Sequence, residues 1–166
     1  MKKREQKINP QVQKVLKRFF LLLDMQFYTF LVVMIMVGIL SLGFEEALAP
    51  EFESNIIWFV PISVIAFYLL NIYLFKSRLD KAKKAEKLFE KMEIYRAAIV
   101  FRFLIFDFMA AAGFLGYLMT KLSFSYAVGL AIMAIYILLK PTKKRFMDDC
   151  DLSVLERQVV KDHTVK

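Results

Sequence analysis

Residues 56–75 read IIWFVPISVIAFYLLNIYLF, twenty consecutive positions without one charged side chain. Trp58 at the edge, Ser63, Asn71, Tyr68 and Tyr73 are the polar groups, and they line no face. A helix rises ~1.5 Å per residue and a bilayer's hydrocarbon core is ~30 Å thick, so this stretch is long enough to cross. A buried helix of a water-soluble bundle would keep a polar stripe, which 56–75 lacks. The segment therefore predicts an integral membrane protein.

Three further apolar stretches flank it, at 19–44, 97–119 and 122–139, the last only narrowly long enough. They predict an all-α integral membrane four-helix bundle made of two helical hairpins. The composition agrees, with 58% hydrophobic residues, 15% aromatic residues and a mean hydropathy of +0.48. A basic start before an apolar run also suggests a cleaved signal peptide. Against that, the run is too long, Asp24 interrupts its head, and no small-residue cleavage pattern follows Gly43, so it reads as a retained span.

Charge sets the expected orientation. Residues 1–18 carry seven Lys and Arg, residues 76–96 eight, and residues 140–166 seven, leaving only Arg102 and Lys121 elsewhere. The turn 43–55 holds four glutamates and no base. By the positive-inside rule both termini and the 76–96 linker are cytoplasmic, in a multi-pass protein of a bacterial inner membrane. The net charge of +8 then reflects topology, with anionic headgroups as its partner. Nucleic acid is excluded for want of any recognition motif or stacking platform.

The chain divides into a basic N-terminal segment 1–18, a four-span domain 19–140 and a tail 141–166. Asn9-Pro10 marks a helix start, after which Val12, Val15 and Leu16 oppose Lys14, Lys17 and Arg18. In 76–96 the residues Leu79, Ala82, Ala85, Leu88 or Phe89, Met92 and Tyr95 recur at three- and four-residue steps, without Gly or Pro. This amphipathic linker either lies flat on headgroups or projects as extensions of two spans, and its stripe serves as packing surface or binds a partner. Lys140-Pro141 ends the last span, Thr142 offers a cap, and Ser153 with Glu156 has the spacing of a capping box. Leu152, Leu155 and Val159 then form an apolar stripe for the membrane or the linker, and the last few residues are expected to be disordered.

Three charged side chains fall within the spans: Asp24, Arg102 and Asp107. Each would cost about 2.5–3.5 kcal/mol at the bilayer centre, so each is a candidate site residue. Asp24 and Arg102 both lie six residues inward of a basic boundary, roughly 9 Å deep. An Asp24–Arg102 ion pair between spans 1 and 3 is therefore expected. Asn71 sits at similar depth, and Gln26, Tyr28, Tyr68 and Tyr136 complete a polar layer. Asp107, five residues beyond Arg102, is rotated roughly 140° from it. It must find a hydroxyl or amide on another span, be protonated, or face water. One reading makes these groups structural glue, with Ala110, Ala111, Ala112, Gly113 and Gly116 permitting close approach. The other makes Asp107 the titrating group of a proton- or ion-linked site, with Arg102 tuning it or binding an anion.

Little else carries chemistry. His163 is the only histidine and Cys150 the only cysteine, so bis-histidine haem, zinc, di-iron and Ser–His constellations all fail. There is no phosphate-cradling glycine loop, and Asp148-Asp149-Cys150-Asp151 matches no calcium loop and reads as a solvated acidic turn. No cofactor, metal or catalytic residue is expected, and Cys150 reads as inert, with palmitoylation or redox sensing as the minor alternative.

The stretch 95–102 (YRAAIVFR), then Asp107 before 110–113, Tyr117-Leu118-Met119-Thr120, Lys140-Pro141-Thr142 and Asp151-Leu152-Ser153 resembles an uncharacterised family of small four-helix bacterial inner-membrane proteins. In that family a Tyr enters the third span, an Arg and an acid sit within it, and Pro-Ser/Thr follows the fourth. The acid is more usually Glu where this chain has Asp107, and a Gly after it is replaced by Phe108. The resemblance covers about residues 95–156 and implies the fold without implying an activity.

The expected function is thus a non-enzymatic inner-membrane accessory or assembly component, contacting anionic lipid and a membrane or cytoplasmic protein partner or a second copy of itself. The alternative is a small proton- or ion-linked transporter or channel component using Asp107 with Arg102.

Overall fold

The computed structural model describes residues 10–162. Asn9 and most of the basic N-terminal run, His163 and the chain's last residues lie outside the described residues. The described chain is all-helical, with no strand: α1 (Pro10–Leu42), a 3-10 turn (Pro50–Phe52), α2 (Glu53–Lys84), α3 (Leu88–Thr120), α4 (Ser123–Leu138), α5 (Lys143–Asp149) and α6 (Val154–Asp162). Three helices, α1, α2 and α3, are long and apolar enough to cross a membrane, and α4 joins them only if counted with α5 as one span bent by 84°.

The helices run past the apolar stretches that founded them. α1 continues unbroken through 10–42, so the amphipathic start and the first apolar stretch are one helix. α2 runs on to Lys84, the chain reverses at Ala85, Glu86 and Lys87, and α3 starts at Leu88. The 76–96 linker therefore projects as the ends of two helices and does not form a separate one. The reversal needs no glycine, because Ala85 (ψ 137°) and Lys87 (ψ 134°) adopt extended backbone open to any residue. Its stripe faces inward: Ala82, Met92 and Tyr95 are buried and Leu79 and Leu88 half-buried, while Phe89 is exposed.

α3 is the central helix, packed against α2, α4 and α1. Half of its most apolar window is buried, against 22% for α1 and 17% for α2. Small residues let the partners close in. Gly113 of α3 meets Gly129 of α4 so tightly that a Cβ there would stand 2.7 Å from the Gly129 nitrogen. Phe114 fills the next layer, its ring wedged between Gly38 of α1 and Gly129 of α4. Below it, Tyr136 stacks on Phe27 at 5.0 Å and packs against Phe103 at 4.8 Å.

Two ends close the bundle differently. At one, the 43–52 loop is clipped to α3 by Leu48 and Ala49 amides donating to the Leu118 and Met119 carbonyls. Lys121 occupies the left-handed region at φ 59° and turns α3 into α4. Its ammonium donates to the Ser41 and Phe44 carbonyls at the end of α1, where cations suit the helix dipole.

At the other end, the tail folds back over α1 and α3. Pro141 follows α4, and Arg145 donates to the Leu138 and Lys140 carbonyls that α4 leaves open. Thr142 caps α5 through the Arg145 amide at 3.2 Å. Ser153 and Glu156 form the expected capping box, with reciprocal bonds of 2.8 and 3.4 Å. Phe146 packs between Phe19, Phe20 and Tyr95. The α6 stripe departs from expectation: Leu152 and Val160 are buried and Val159 half-buried, but Leu155 is exposed. Glu156 sets the phase, because its carboxylate pairs with the buried Lys91 of α3 at 3.0 Å and rotates Leu155 outward.

Candidate functional site

The polar residues of the apolar helices separate into three places. The expected Asp24–Arg102 pair is not formed. Asp24 pairs with Lys140 at 3.4 Å, and the Lys140 ammonium also donates to the Tyr28 hydroxyl at 2.9 Å. Both partners of this pair are well exposed, so it fastens the start of α1's apolar face to the end of α4 with modest energy. The sequence reading missed Lys140, which follows α4 and takes the place expected of Arg102.

Arg102 takes a different neighbour. Its guanidinium lies over the Phe75 ring of α2, 4.3 Å from the centroid, and its Nε is buried without a hydrogen-bond partner. Asn71, one turn before Phe75, is 4% exposed. The two residues share a cleft of about 360 Å³ between α2, α3 and α4. Phe106, Ile135 and Leu139 form its apolar wall, and Tyr68 stands at its edge. Lys76, Asp80 and Lys83 extend it along α2 toward the basic end. The residues 71, 75, 79 and 83 recur every fourth position, the spacing that places them along one side of a helix. That signal was present in the sequence but hidden by the division into span and linker.

Asp107 lies elsewhere, in an apolar groove of about 160 Å³ between α1 and α3, with Val33, Met34, Val37, Leu104, Ala111 and Phe114. Its Oδ1 is buried without a partner. Arg102 and Asp107 thus face different grooves, as their 140° offset predicted, and no hydroxyl or amide among the described residues reaches the Asp107 Oδ1. Gln26 faces a third, shallow groove with Glu93, Arg96 and Phe101, its Oε1 likewise buried and unpaired. Tyr136 is satisfied locally, donating 2.8 Å to the Phe27 carbonyl. The polar residues expected to form one layer are therefore scattered in direction.

The acidic turn is not simply solvated. Asp148 pairs with Arg157 at 3.3 Å, and Asp149 accepts from the Tyr95 hydroxyl at 3.3 Å. Burial pushes the Asp149 carboxyl up, while the Tyr95 hydroxyl and the Arg102 and Arg145 guanidiniums pull it back. Cys150 is fully buried, and that burial, with the Asp149 charge beside it, pushes its thiol up to about 12. Among the described residues no three His, Cys, Asp or Glu side chains gather closely enough to hold a metal ion.

Of the three grooves that hold an unpartnered polar atom, the α2–α3–α4 cleft is the one lined by Arg102 together with Asn71 and two lysines. Three cations, Lys76, Lys83 and Arg102, face one acid, Asp80, along its length. Such a surface can hold an anion against an apolar wall. No known family model, curated protein or solved structure matches this chain.

Proposed function

We propose that this chain is a non-enzymatic, multi-pass protein of a bacterial inner membrane, built as a four-helix bundle of two hairpins with both termini cytoplasmic. It acts there as an accessory or assembly component whose basic end contacts anionic lipid and a protein partner. One observation carries the membrane reading. In α2 only 17% of the most apolar window is buried, leaving Trp58, Phe59, Ile62, Ile65, Leu69 and Tyr73 exposed together. Water would not tolerate so continuous an apolar surface, and a bilayer would solvate it. The charge bias supports the orientation, since the α2–α3 turn carries Lys81, Lys83, Lys84 and Lys87 and the 43–55 turn carries four glutamates. The likeness of 95–156 to small bacterial inner-membrane proteins supports the same reading.

Cysteine accessibility in intact cells tests the orientation: a Cys at Glu51 should label from outside and one at Lys84 should not. Labelling of both from one side would end the four-span reading.

The buried, unpartnered Asp107 carboxyl favours a second reading, a proton- or ion-linked component. The separation of Asp107 from Arg102 weighs against it, because Arg102 lines the α2–α3–α4 cleft and Asp107 the groove between α1 and α3. Purified protein in liposomes should show no proton flux that Asp107→Asn abolishes. A flux lost in that variant would replace the accessory reading with transport.

A further inference from the structure

We propose that the α2–α3–α4 cleft is a binding site for one anionic phospholipid, whose phosphate-bearing headgroup is held by Arg102, Asn71, Lys76 and Lys83. The inference rests on the four-span reading and names the ligand of a particular site within it.

Three features point to a phosphate-bearing amphiphile. The first is unmet hydrogen bonding. A buried donor without an acceptor costs roughly 1–3 kcal/mol, and here the Arg102 Nε is such a group at a cleft that Asn71 also lines. A tetrahedral phosphate offers pairs of acceptor oxygens that the planar guanidinium fork can bind two at a time. The second is charge: Lys76, Lys83 and Arg102 exceed the single Asp80. Asp149 also acts on Arg102 through space, but it is engaged by the Tyr95 hydroxyl. The third is shape. The polar groups continue into a wall of Phe75, Phe106, Ile135 and Leu139, which a free inorganic anion would leave uncovered and acyl chains would cover. Lys76 and Lys83 lie toward the basic end of α2, and Phe106 and Ile135 lie further from that end, the order in which headgroup and chain would lie in the cytoplasmic leaflet.

The test is native mass spectrometry of the full chain released from nanodiscs of equal phosphatidylglycerol and phosphatidylcholine. One phosphatidylglycerol should stay bound in preference to phosphatidylcholine. Each lysine near an anionic surface contributes ~1 kcal/mol, or roughly fivefold, so Lys76→Ala/Lys83→Ala should weaken retention roughly 25-fold. The control Lys84→Ala/Lys87→Ala, at the same end but outside the cleft, should change it less than twofold. Asn71→Leu should also lower retention, with the exposed lysine pair as the variant that leaves folding untouched.

Equal loss in the control and the cleft variant would reduce the effect to general surface attraction and overturn the site. Displacement of the lipid by inorganic phosphate or glycerol phosphate at matched concentration would assign the cleft to a free anion and overturn the lipid. Failure of the four-span reading is seen separately, as labelling of Glu51→Cys and Lys84→Cys from one side. A correctly inserted chain without lipid preference sinks this inference alone.

Discussion

Gly113→Ala should destabilise the protein by about 2 kcal/mol, although alanine is the better helix former. The new Cβ would stand 2.7 Å from the Gly129 nitrogen, 2.8 Å from the Ser125 carbonyl oxygen and 2.9 Å from the Gly129 Cα. All three are backbone atoms of α4, so no side chain can swing aside. Ordinary contact begins at 3.4 Å, so α4 must retreat by about 0.7 Å along this seam. Overpacking of this kind costs about 1–3 kcal/mol, and rigid backbone neighbours place it near the upper end. The gain in helix propensity returns ~1 kcal/mol at most. The steric cost wins. Gly43→Ala is the matched control: its nearest neighbour would be the Leu40 carbonyl at 3.5 Å, and a change within ~0.5 kcal/mol is expected. Reversible unfolding in mixed micelles, followed by circular dichroism, measures both. If Gly113→Ala unfolds together with Gly43→Ala, the α3–α4 seam is not as tight as described and the reasoning fails. Gly129→Ala extends the test, since its Cβ would stand 2.6 Å from the Phe114 ring, which Gly38 blocks on the other side. Phe114→Leu should partly rescue Gly129→Ala, a non-additivity expected of groups in contact.

Other expectations concern single charged or reactive groups. Asp107→Leu should stabilise the bundle by about 1–3 kcal/mol, because it removes a buried oxygen that has no partner; destabilisation in the same unfolding assay would mean a partner exists. Acid should undock α6. Glu156 is partly desolvated, yet the Ser153 amide and Lys91 hold its carboxyl below its ordinary value of 4.5. Its contribution is therefore complete above pH 4.5 and lost as pH falls through the depressed value, with Asp149, raised by burial, working in the opposite sense. Protection of the 154–162 amides, read against exchange of an unstructured chain at the same pH, should fall below pH 4.5 in the wild type, and Glu156→Gln should be weakly protected at every pH; unchanged wild-type protection would contradict this. Lys91→Met should be milder than Glu156→Gln, since the latter leaves a buried ammonium unpaired; equal exchange rates would argue that Lys91 is wet. Cys150 should resist maleimide at pH 8 until the protein unfolds, and prompt labelling of the folded chain would show the tail to be open.

Helical character and the apolar reach of 56–75 follow from composition and length, which need no knowledge of neighbours. Local signals were legible for the same reason: the stop at Pro141, the Thr142 cap and the Ser153–Glu156 box all act within a few residues. The reversal at 85–87 was not legible, because it uses ordinary extended backbone and no breaker residue.

What the sequence by itself determined is which segments are apolar helices and which end of each is basic. Only the tertiary structure decided the partners of the charged side chains: Lys140 for Asp24, Phe75 for Arg102, and none among the described residues for the Asp107 Oδ1. Pairing depends on the rotation of each helix about its axis. Where packed and exposed sides are both apolar, periodicity leaves that rotation free. It is fixed here by contacts such as Gly113 against Gly129 and Phe114 between two glycines, between residues far apart in the chain.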